Sequence, residues 1–144
     1  MRESFGATHF LNAEALGDNL VKDLFALTGG GADYSFECIG NIHVMRQAFD
    51  STNPYWGKTI IVGIAGHDHQ LALNPVAFMT GRSIRGGLFG GAKGRTDVPK
   101  VVDWYMNGDI NIADLVTHRL RLEDINEGFE LMRRGESIRS VILF

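Results

Sequence analysis

Apolar residues recur along the chain with two spacings, and the first part of the chain alternates between them. Residues 9–12 form a short, apolar-leaning run that predicts a strand. A helix is predicted over 19–27, where leucines three or four positions apart share one face. The glycines at 29–31 predict the end of this helix, because glycine adopts the left-handed cap conformation without a steric penalty.

A second strand and helix follow, and then a third strand. Residues 34–39 predict a strand, Gly40 ends it, and Asn41 is the expected N-cap of a helix that runs to about Phe49. The segment 58–62 is a β-branched run without polar alternation, which is typical of a strand covered by helices on both faces of a parallel sheet. This alternation of strands and helices favours an α/β fold.

The last third has a different pattern, with two amphipathic helices. Residues 95–97 precede the first helix, which is expected to hold Pro99 in its first turn and to end at Gly108. The second helix is predicted over 122–133, and a final strand over 139–144. The predicted apolar faces consist of Val98, Val101, Val102 and Tyr105 in the first helix and Leu122, Ile125, Phe129 and Met132 in the second.

Composition narrows the possible functions. The net charge of -3 offers no basic surface for nucleic acid, and no apolar run approaches the roughly 20 residues that span a membrane. The N-terminus lacks the basic and apolar regions of a signal peptide. Cys38 is the only cysteine, which excludes an internal disulfide, favours a cytoplasmic location and predicts a small buried side chain.

Six short strings, taken in order, resemble one enzyme family. They are Phe5-Gly6-Ala7-Thr8, the decapeptide 31–40, Gly86-Gly87-Leu88-Phe89-Gly90-Gly91, Val98-Pro99-Lys100, the pentapeptide 125–129, and Gly135-Glu136-Ser137-Ile138-Arg139. The chain is similar to the C-terminal part of zinc-dependent medium-chain alcohol dehydrogenases, and most similar to their class III branch, the glutathione-dependent formaldehyde dehydrogenases.

The resemblance implies a fold and a division of the chain. Residues 1–88 would be the C-terminal half of an NAD-binding Rossmann domain with a partial parallel sheet, and 89–144 a segment of the catalytic domain. The glycine fingerprint that binds pyrophosphate and the zinc ligands of such enzymes would lie upstream. One cysteine and five dispersed histidines cannot supply the three ligands of a catalytic zinc, so no catalytic or metal-binding residue is expected in this chain.

The resemblance also implies the activity of the complete enzyme. It would use NAD and zinc to oxidise S-(hydroxymethyl)glutathione and primary alcohols, and this chain alone would be inactive. The chain would contribute the nicotinamide half of the NAD site, with Val62, Gly87 and Phe89 offering main-chain groups to the carboxamide. The candidate cofactor-binding residues are Ile39, Val62, Gly63, Ile64, Gly87, Leu88, Phe89 and Arg139.

Two of these assignments have a structural alternative. The glycines could shape turns without binding a ligand, since glycine clusters are common in loops. Arg139 would reach the cofactor pyrophosphate, where a guanidinium can form two hydrogen bonds, or it could be an exposed arginine beside a helix end.

The pair His67 and His69 invites a metal interpretation, but the segment follows Gly66 and is better explained as a solvated turn. His118 is interpreted as structural or close to the subunit surface.

The segment from about Leu71 to Gly86 is the predicted subunit contact. Its last four residues predict a short strand at the end of the sheet, and an unpaired edge with apolar neighbours favours pairing with a second copy. The alternative is an intrachain cover, in which Phe78 and Met79 pack under the terminal helix.

A function of another class also fits the pattern. If Met1 is a genuine start, the chain could be a standalone, non-catalytic α/β module that acts through dimerisation. The intact mass of the native protein separates the two hypotheses, because a value near 15.9 kDa supports the module and a far larger one a fragment.

Overall fold

A computed structural model describes residues 5–144, which divide into one unit that reaches Ala92 and another from Lys93 to Phe144. The helices are Ala13–Leu16 (α1), Leu20–Leu27 (α2), Ile42–Asp50 (α3), Val76–Met79 (α4), Gly94–Met106 (α5) and Ile125–Arg133 (α6). The strands are Tyr34–Glu37 (β1), Lys58–Ile61 (β2), Ser83–Gly86 (β3), Val116–Arg121 (β4) and Arg139–Leu143 (β5). Short turns of 3-10 helix cover Gly17–Asn19, Leu88–Gly91, Ala113–Leu115 and Leu122–Asp124. Between residues 5 and 144, no helix has both the length and the apolar character that crossing a membrane requires.

The first unit is built on a parallel sheet with the strand order β1-β2-β3. Glu37 is in register with Ile61, and Ile61 with Gly86, so the three strands end at the same level. The three strands predicted between residues 34 and 86 and the α/β class are confirmed, although β1 and β2 end slightly earlier than predicted. β3 lies at one edge of the sheet.

Helix α3 packs on this sheet and supplies the core of the first unit. The Asn41 side chain accepts hydrogen bonds from the N–H groups of His43 and Val44 at 2.9 and 3.3 Å, which confirms the predicted N-cap. Met45 and Phe49 of this helix are buried, and Phe49 is completely inaccessible. The buried side chains of α3 therefore pack on a sheet in which β1 and β2 end at the same level.

The predicted strand at residues 9–12 is wrong. These residues have no regular structure, and the Asn12 side chain caps α1 by accepting from the N–H groups of Glu14 and Ala15 at 3.0 and 3.2 Å. The run contains no β-branched residue, and an asparagine that begins a helix is more stabilising there than an unpaired extended segment. The helix stop at 29–31 is confirmed, because all three glycines have positive φ.

In the second unit, α6 connects the parallel strands β4 and β5. The side chains of the predicted apolar face, Leu122, Ile125, Phe129 and Met132, are between 39% and 61% exposed. Leu131 is the buried side chain instead, and a Cβ at Gly128 would lie 3.0 Å from Leu120 Cδ1. The small residue brings that side of the helix close to β4. Ile125, Phe129 and Met132 of the predicted face line an open groove of about 400 Å³ beside β5.

Helix α5 begins earlier than predicted. It starts at Gly94, so Pro99 lies in its second turn and not in its first. The carboxyl group of Asp97 accepts from the backbone N–H of Lys93 at 2.7 Å, which stabilises this early start. The predicted stop is confirmed, because Gly108 follows the helix end with a φ of 81°.

Candidate cofactor site

Three turns follow the level ends of β1, β2 and β3, and we refer to residues 38–41, 62–64 and 87–91 as the strand-end turns. Seven of the eight predicted cofactor residues lie in them, since only Arg139 belongs to the second unit. Parallel α/β sheets bind ligands outside the carboxyl ends of their strands. The register therefore brings these seven predicted positions to the edge of the sheet where a ligand is expected.

The side chains of the strand-end turns are largely uncovered. Ile64 is 87% exposed, Leu88 83% and Phe89 93%. Ile39 and Val62 are also exposed. Large apolar side chains grouped at one edge favour contact with an apolar ligand or with further protein.

The first two turns touch through their backbones. A Cβ at Gly63 would lie 2.1 Å from the Gly40 nitrogen, and a Cβ at Gly40 would lie 2.2 Å from the Ile64 carbonyl oxygen. Gly40 also has a φ of +86°, a conformation that side chains disfavour. Gly40 and Gly63 can therefore shape these turns and also leave the main chain accessible to a ligand such as a carboxamide.

Glu37, the last residue of β1, connects these two turns, and the sequence analysis missed it. Its Oε1 accepts from the N–H groups of Ile39 and Gly40 at 2.9 and 2.8 Å, and its main-chain oxygen accepts from those of Val62 and Gly63 at 2.7 and 2.9 Å. The residue is 1% exposed. The one charged residue in the predicted strand 34–39 was the signal that could have identified it.

The third turn holds an unusual backbone conformation. Phe89 has φ 51° and ψ 35°. Among residues 5–144, it is the only residue other than glycine with a positive φ. Gly90 and Gly91 continue the left-handed run with φ of 66° and 76°. A left-handed non-glycine residue costs about 1–2 kcal/mol, and such strain is concentrated at functional sites.

The remaining predicted residues have simpler surroundings. Arg139 is exposed at the start of β5, and its contact with a cofactor stays a prediction. His67 and His69 lie in an exposed turn, as predicted, and residues 5–144 contain no group of three His, Cys, Asp or Glu side chains placed to hold a metal ion. His118 is half-buried in β4, with Nδ1 at 3.0 Å from Thr117 Oγ1.

The predicted burial of Cys38 is wrong, because its side chain is exposed. Side chains alternate between the faces of an extended chain, and the preceding residue, Glu37, takes the buried position.

Residues 1–107 match a family model described as zinc-binding dehydrogenase. The chain belongs to this family. Its relatives in the zinc-binding dehydrogenase family include S-(hydroxymethyl)glutathione dehydrogenase of Paracoccus denitrificans, which is 50% identical over all of this chain. Alcohol dehydrogenase class-3 of Cereibacter sphaeroides is 49% identical over 99% of it. The resemblance carried by the six strings is confirmed.

The chain spans about 40% of the length of these relatives, matching their C-terminal part. Solved structures of other dehydrogenases share the fold. Benzyl alcohol dehydrogenase from Acinetobacter calcoaceticus is 23% identical with a TM-score of 0.88, and 97% of this chain covers 38% of that one. A zinc-binding domain protein from Burkholderia ambifaria is 26% identical with a TM-score of 0.84, and 95% of this chain covers 36% of that one. The predicted fold class, a parallel sheet of the Rossmann type, is therefore confirmed.

Proposed function

We propose that this chain supplies the nicotinamide half of the NAD site in a zinc-dependent dehydrogenase that oxidises S-(hydroxymethyl)glutathione and primary alcohols. The observation that carries the proposal is the common level of the three strand ends, which gathers seven candidate residues at one edge of the sheet. The substrate follows from the relative of this name, whose sequence is half identical. A cytoplasmic location is part of the same proposal and rests on the single cysteine.

The strand-end turns fit the nicotinamide group in chemistry and shape. The ring is flat and largely apolar, and it would lie against side chains such as Ile64 and Val62, which are exposed. Its carboxamide needs one donor and one acceptor, which the main chain of Val62, Gly87 and Phe89 would provide. Glycines allow the backbone to come within hydrogen-bonding distance of a ligand.

The residues of this chain would bind and orient the cofactor and would not perform the chemical step. When bound, NAD⁺ accepts a hydride at its nicotinamide ring, and fixed backbone contacts decide which ring face meets the substrate. Apolar side chains around the ring would exclude water. The described residues do not fit the zinc, since residues 5–144 contain no suitable group of ligands.

The two units would belong to different domains of the enzyme. The first would be the C-terminal half of the coenzyme domain and the second a segment of the catalytic domain. The predicted boundary near Leu88 lies close to the division between Ala92 and Lys93 that the residue contacts give.

We also propose that β3 pairs with its copy in a second subunit. β3 has β2 on one side, and no other strand of residues 5–144 lies on its other side. Met79, just before it, is 85% exposed, which leaves an apolar side chain beside this edge. Phe78 packs on Phe49 with ring centroids 5.3 Å apart, so it contributes to the core of the first unit. A two-fold axis would extend the sheet across the dimer.

A chimeric enzyme tests the main proposal. The C-terminal segment of the Paracoccus denitrificans relative is replaced by this chain, and NADH formation from S-(hydroxymethyl)glutathione is followed by absorbance. We expect activity that depends on both substrate and zinc. A folded, zinc-loaded chimera that neither binds NAD⁺ nor forms NADH would overturn the proposal.

The chain by itself gives a second measurement. Without the helix N-terminus that binds pyrophosphate, we expect NAD⁺ affinity in the millimolar range by calorimetry, and less than one zinc per chain by metal analysis. Micromolar affinity or one tightly bound zinc per chain would contradict this. A stable dimer together with an inactive chimera would favour the non-catalytic dimerisation module instead.

A further inference from the structure

Glu37 bonds to both of the first two strand-end turns, to the first through its buried carboxyl group and to the second through its main-chain oxygen. Its Oε1 receives three backbone donors, from Ile39 at 2.9 Å, Gly40 at 2.8 Å and Asn41 at 3.4 Å. The main-chain oxygen of the same residue receives two more from the turn after β2. One residue therefore holds the backbone on both sides of the contact between these turns.

The second carboxyl oxygen has no use in stabilising the fold. Oε2 is inaccessible and has no hydrogen-bond partner among the described residues, and a Cβ at Gly63 would lie only 2.7 Å from it. A buried acceptor without a donor is destabilising, so Oε2 offsets part of the stability that the hydrogen bonds to Oε1 contribute. The hydrogen bonds to Oε1 are therefore what a carboxyl group contributes at this position.

The first oxygen sets the direction of the backbone that a ligand would meet. Ile39, Gly40 and Asn41 lie outside any strand, and without Oε1 their N–H groups would have no acceptor among the hydrogen bonds described for residues 5–144. Asn41 is also the N-cap of α3, so the carboxyl group lies at the start of that helix, where negative charge is favourable. Moving this turn would also move Gly63 and Ile64, because the glycines pack without space between them.

We propose that Glu37 is a positioning residue, which holds the turns after β1 and β2 in the arrangement that receives the nicotinamide group. The inference rests on the proposed function. Glu37 does not touch the ligand itself, because its side chain is inaccessible. Its carboxyl group acts directly on the main chain of Ile39 and Gly40, and it acts on the second turn through the close packing of Gly40 against Gly63.

Two substitutions separate positioning from simple stabilisation. Glu37→Gln keeps an oxygen acceptor at the position of Oε1, whereas Glu37→Ala removes it. The matched control is Thr59→Val in the neighbouring strand, because Thr59 is also 1% exposed and its hydroxyl bonds to that of Ser35, away from the turns. All three variants are expected to lower stability, but only Glu37→Ala should affect the ligand.

The test is a titration of the ¹⁵N-labelled chain with nicotinamide mononucleotide, followed by backbone amide shifts. We expect Glu37→Ala to bind about tenfold more weakly than the wild type, a difference of about 1.4 kcal/mol. Glu37→Gln and Thr59→Val should stay within about threefold of it, since each keeps the acceptor for the turn. Amide exchange at Ile39 and Gly40 should become faster in the alanine variant alone.

The outcomes distinguish the inference from the proposed function. If the strand-end turns of the folded wild-type chain show no amide shifts and the chimeric enzyme does not bind NAD⁺, the proposed function fails, and the inference fails with it. If the wild type responds and Glu37→Ala binds as tightly as Thr59→Val, only the inference is overturned. The same variants in the chimeric enzyme provide a kinetic measurement, in which the KM for NAD⁺ should rise more than kcat falls.

Discussion

Arg82 and Thr52 are joined by two hydrogen bonds, in which Nε and Nη2 of the arginine donate to the same carbonyl oxygen at 3.1 and 2.7 Å. Nη2 also donates to the carbonyl oxygen of Asp50 at 3.1 Å, and the guanidinium lies 5.6 Å from the centre of the Phe49 ring. The Arg82 side chain is 12% exposed. Arg82 immediately precedes the edge strand β3, so these bonds connect the start of β3 to the C-terminal end of α3.

Arg82→Ala is expected to lower the free energy of unfolding by about 2–4 kcal/mol, because it leaves buried carbonyl oxygens without donors. Arg82→Lys should recover only part of this loss, since an ammonium group cannot reproduce the fork of donors. Urea denaturation of the chain measures both. Arg119→Ala, at an exposed position of β4, should change the value by less than about 0.5 kcal/mol. Equal effects of Arg82→Ala and Arg119→Ala would contradict this prediction.

Substitution of either glycine between the first two strand-end turns is expected to destabilise the first unit. Gly40→Ala and Gly63→Ala each place a Cβ about 2 Å from backbone atoms, which cannot move aside as a side chain can. Overpacking of this kind costs about 1–3 kcal/mol, and the positive φ of Gly40 adds to it. Gly94→Ala is the matched control, because nothing lies within 4 Å of its Cβ. Thermal unfolding should separate the control from both variants, and a shared melting temperature would disprove the close packing.

The start of α5 should be sensitive to acid. The backbone N–H of Lys93 and then the Lys100 ammonium lower the pKa of Asp97 below its usual value of 3.8. A group whose pKa is lowered by folding contributes stability above the unfolded value, and this contribution is lost as the pH falls through the folded value. The Lys93 amide shift, followed from about pH 5 to about pH 2, should therefore titrate below the usual carboxyl range. Titration at or above 3.8, or an identical curve in Asp97→Asn, would contradict the contact.

Ile84→Pro is expected to reduce dimerisation, because proline removes a backbone donor from β3 and obstructs pairing at an edge. Ile84→Thr keeps the N–H group and serves as the control, and circular dichroism checks that both variants remain folded. Sedimentation velocity measures the oligomeric state. A parent chain that is monomeric at micromolar concentration, or a proline variant as dimeric as the parent, would rule out the β3 interface.

Arg139→Ala in the chimeric enzyme should weaken NAD⁺ binding about tenfold, the loss expected for one charge-assisted hydrogen bond. Arg134→Ala is a suitable control, because Arg134 already bonds to Glu127 and Glu136 at 3.1 and 3.0 Å. Calorimetry compares the two variants. Unchanged affinity in Arg139→Ala would return this residue to the alternative of an exposed arginine beside a helix end.

The elements that the sequence predicted well are those with a local cause. Asn41 caps α3 with its own side chain, and the glycines at 29–31 end α2 through their backbone freedom. The strand β4 was missed because its polar residues, such as Arg119 and Arg121, masked the alternation with Val116 and Leu120. The apolar spacing of α6 did not show that the helix approaches β4 on the side of Gly128.

The candidate site was only partly accessible from sequence. The resemblance predicted cofactor residues that lie in the strand-end turns, and two of these turns overlap with the strings that carry it. It did not identify Glu37, whose importance depends on donors from two turns that lie more than twenty positions apart along the chain. Cys38 was misplaced for a related reason, since the burial of its neighbour could only be seen once α3 was packed on the sheet.

The packing of Leu131 bears on the order in which the chain acquires structure. Among the residues from Lys93 to Phe144, Leu131 is the only buried apolar side chain. The core of the first unit contains two, Met45 and Phe49. A region that buries so little apolar surface gains little to offset the conformational entropy of its backbone. The β4-α6-β5 segment is therefore expected to behave as a low-stability cooperative unit, whose amides exchange through local opening while those of α3 and β2 remain protected. Synthesised after the first unit, it would become persistently ordered last.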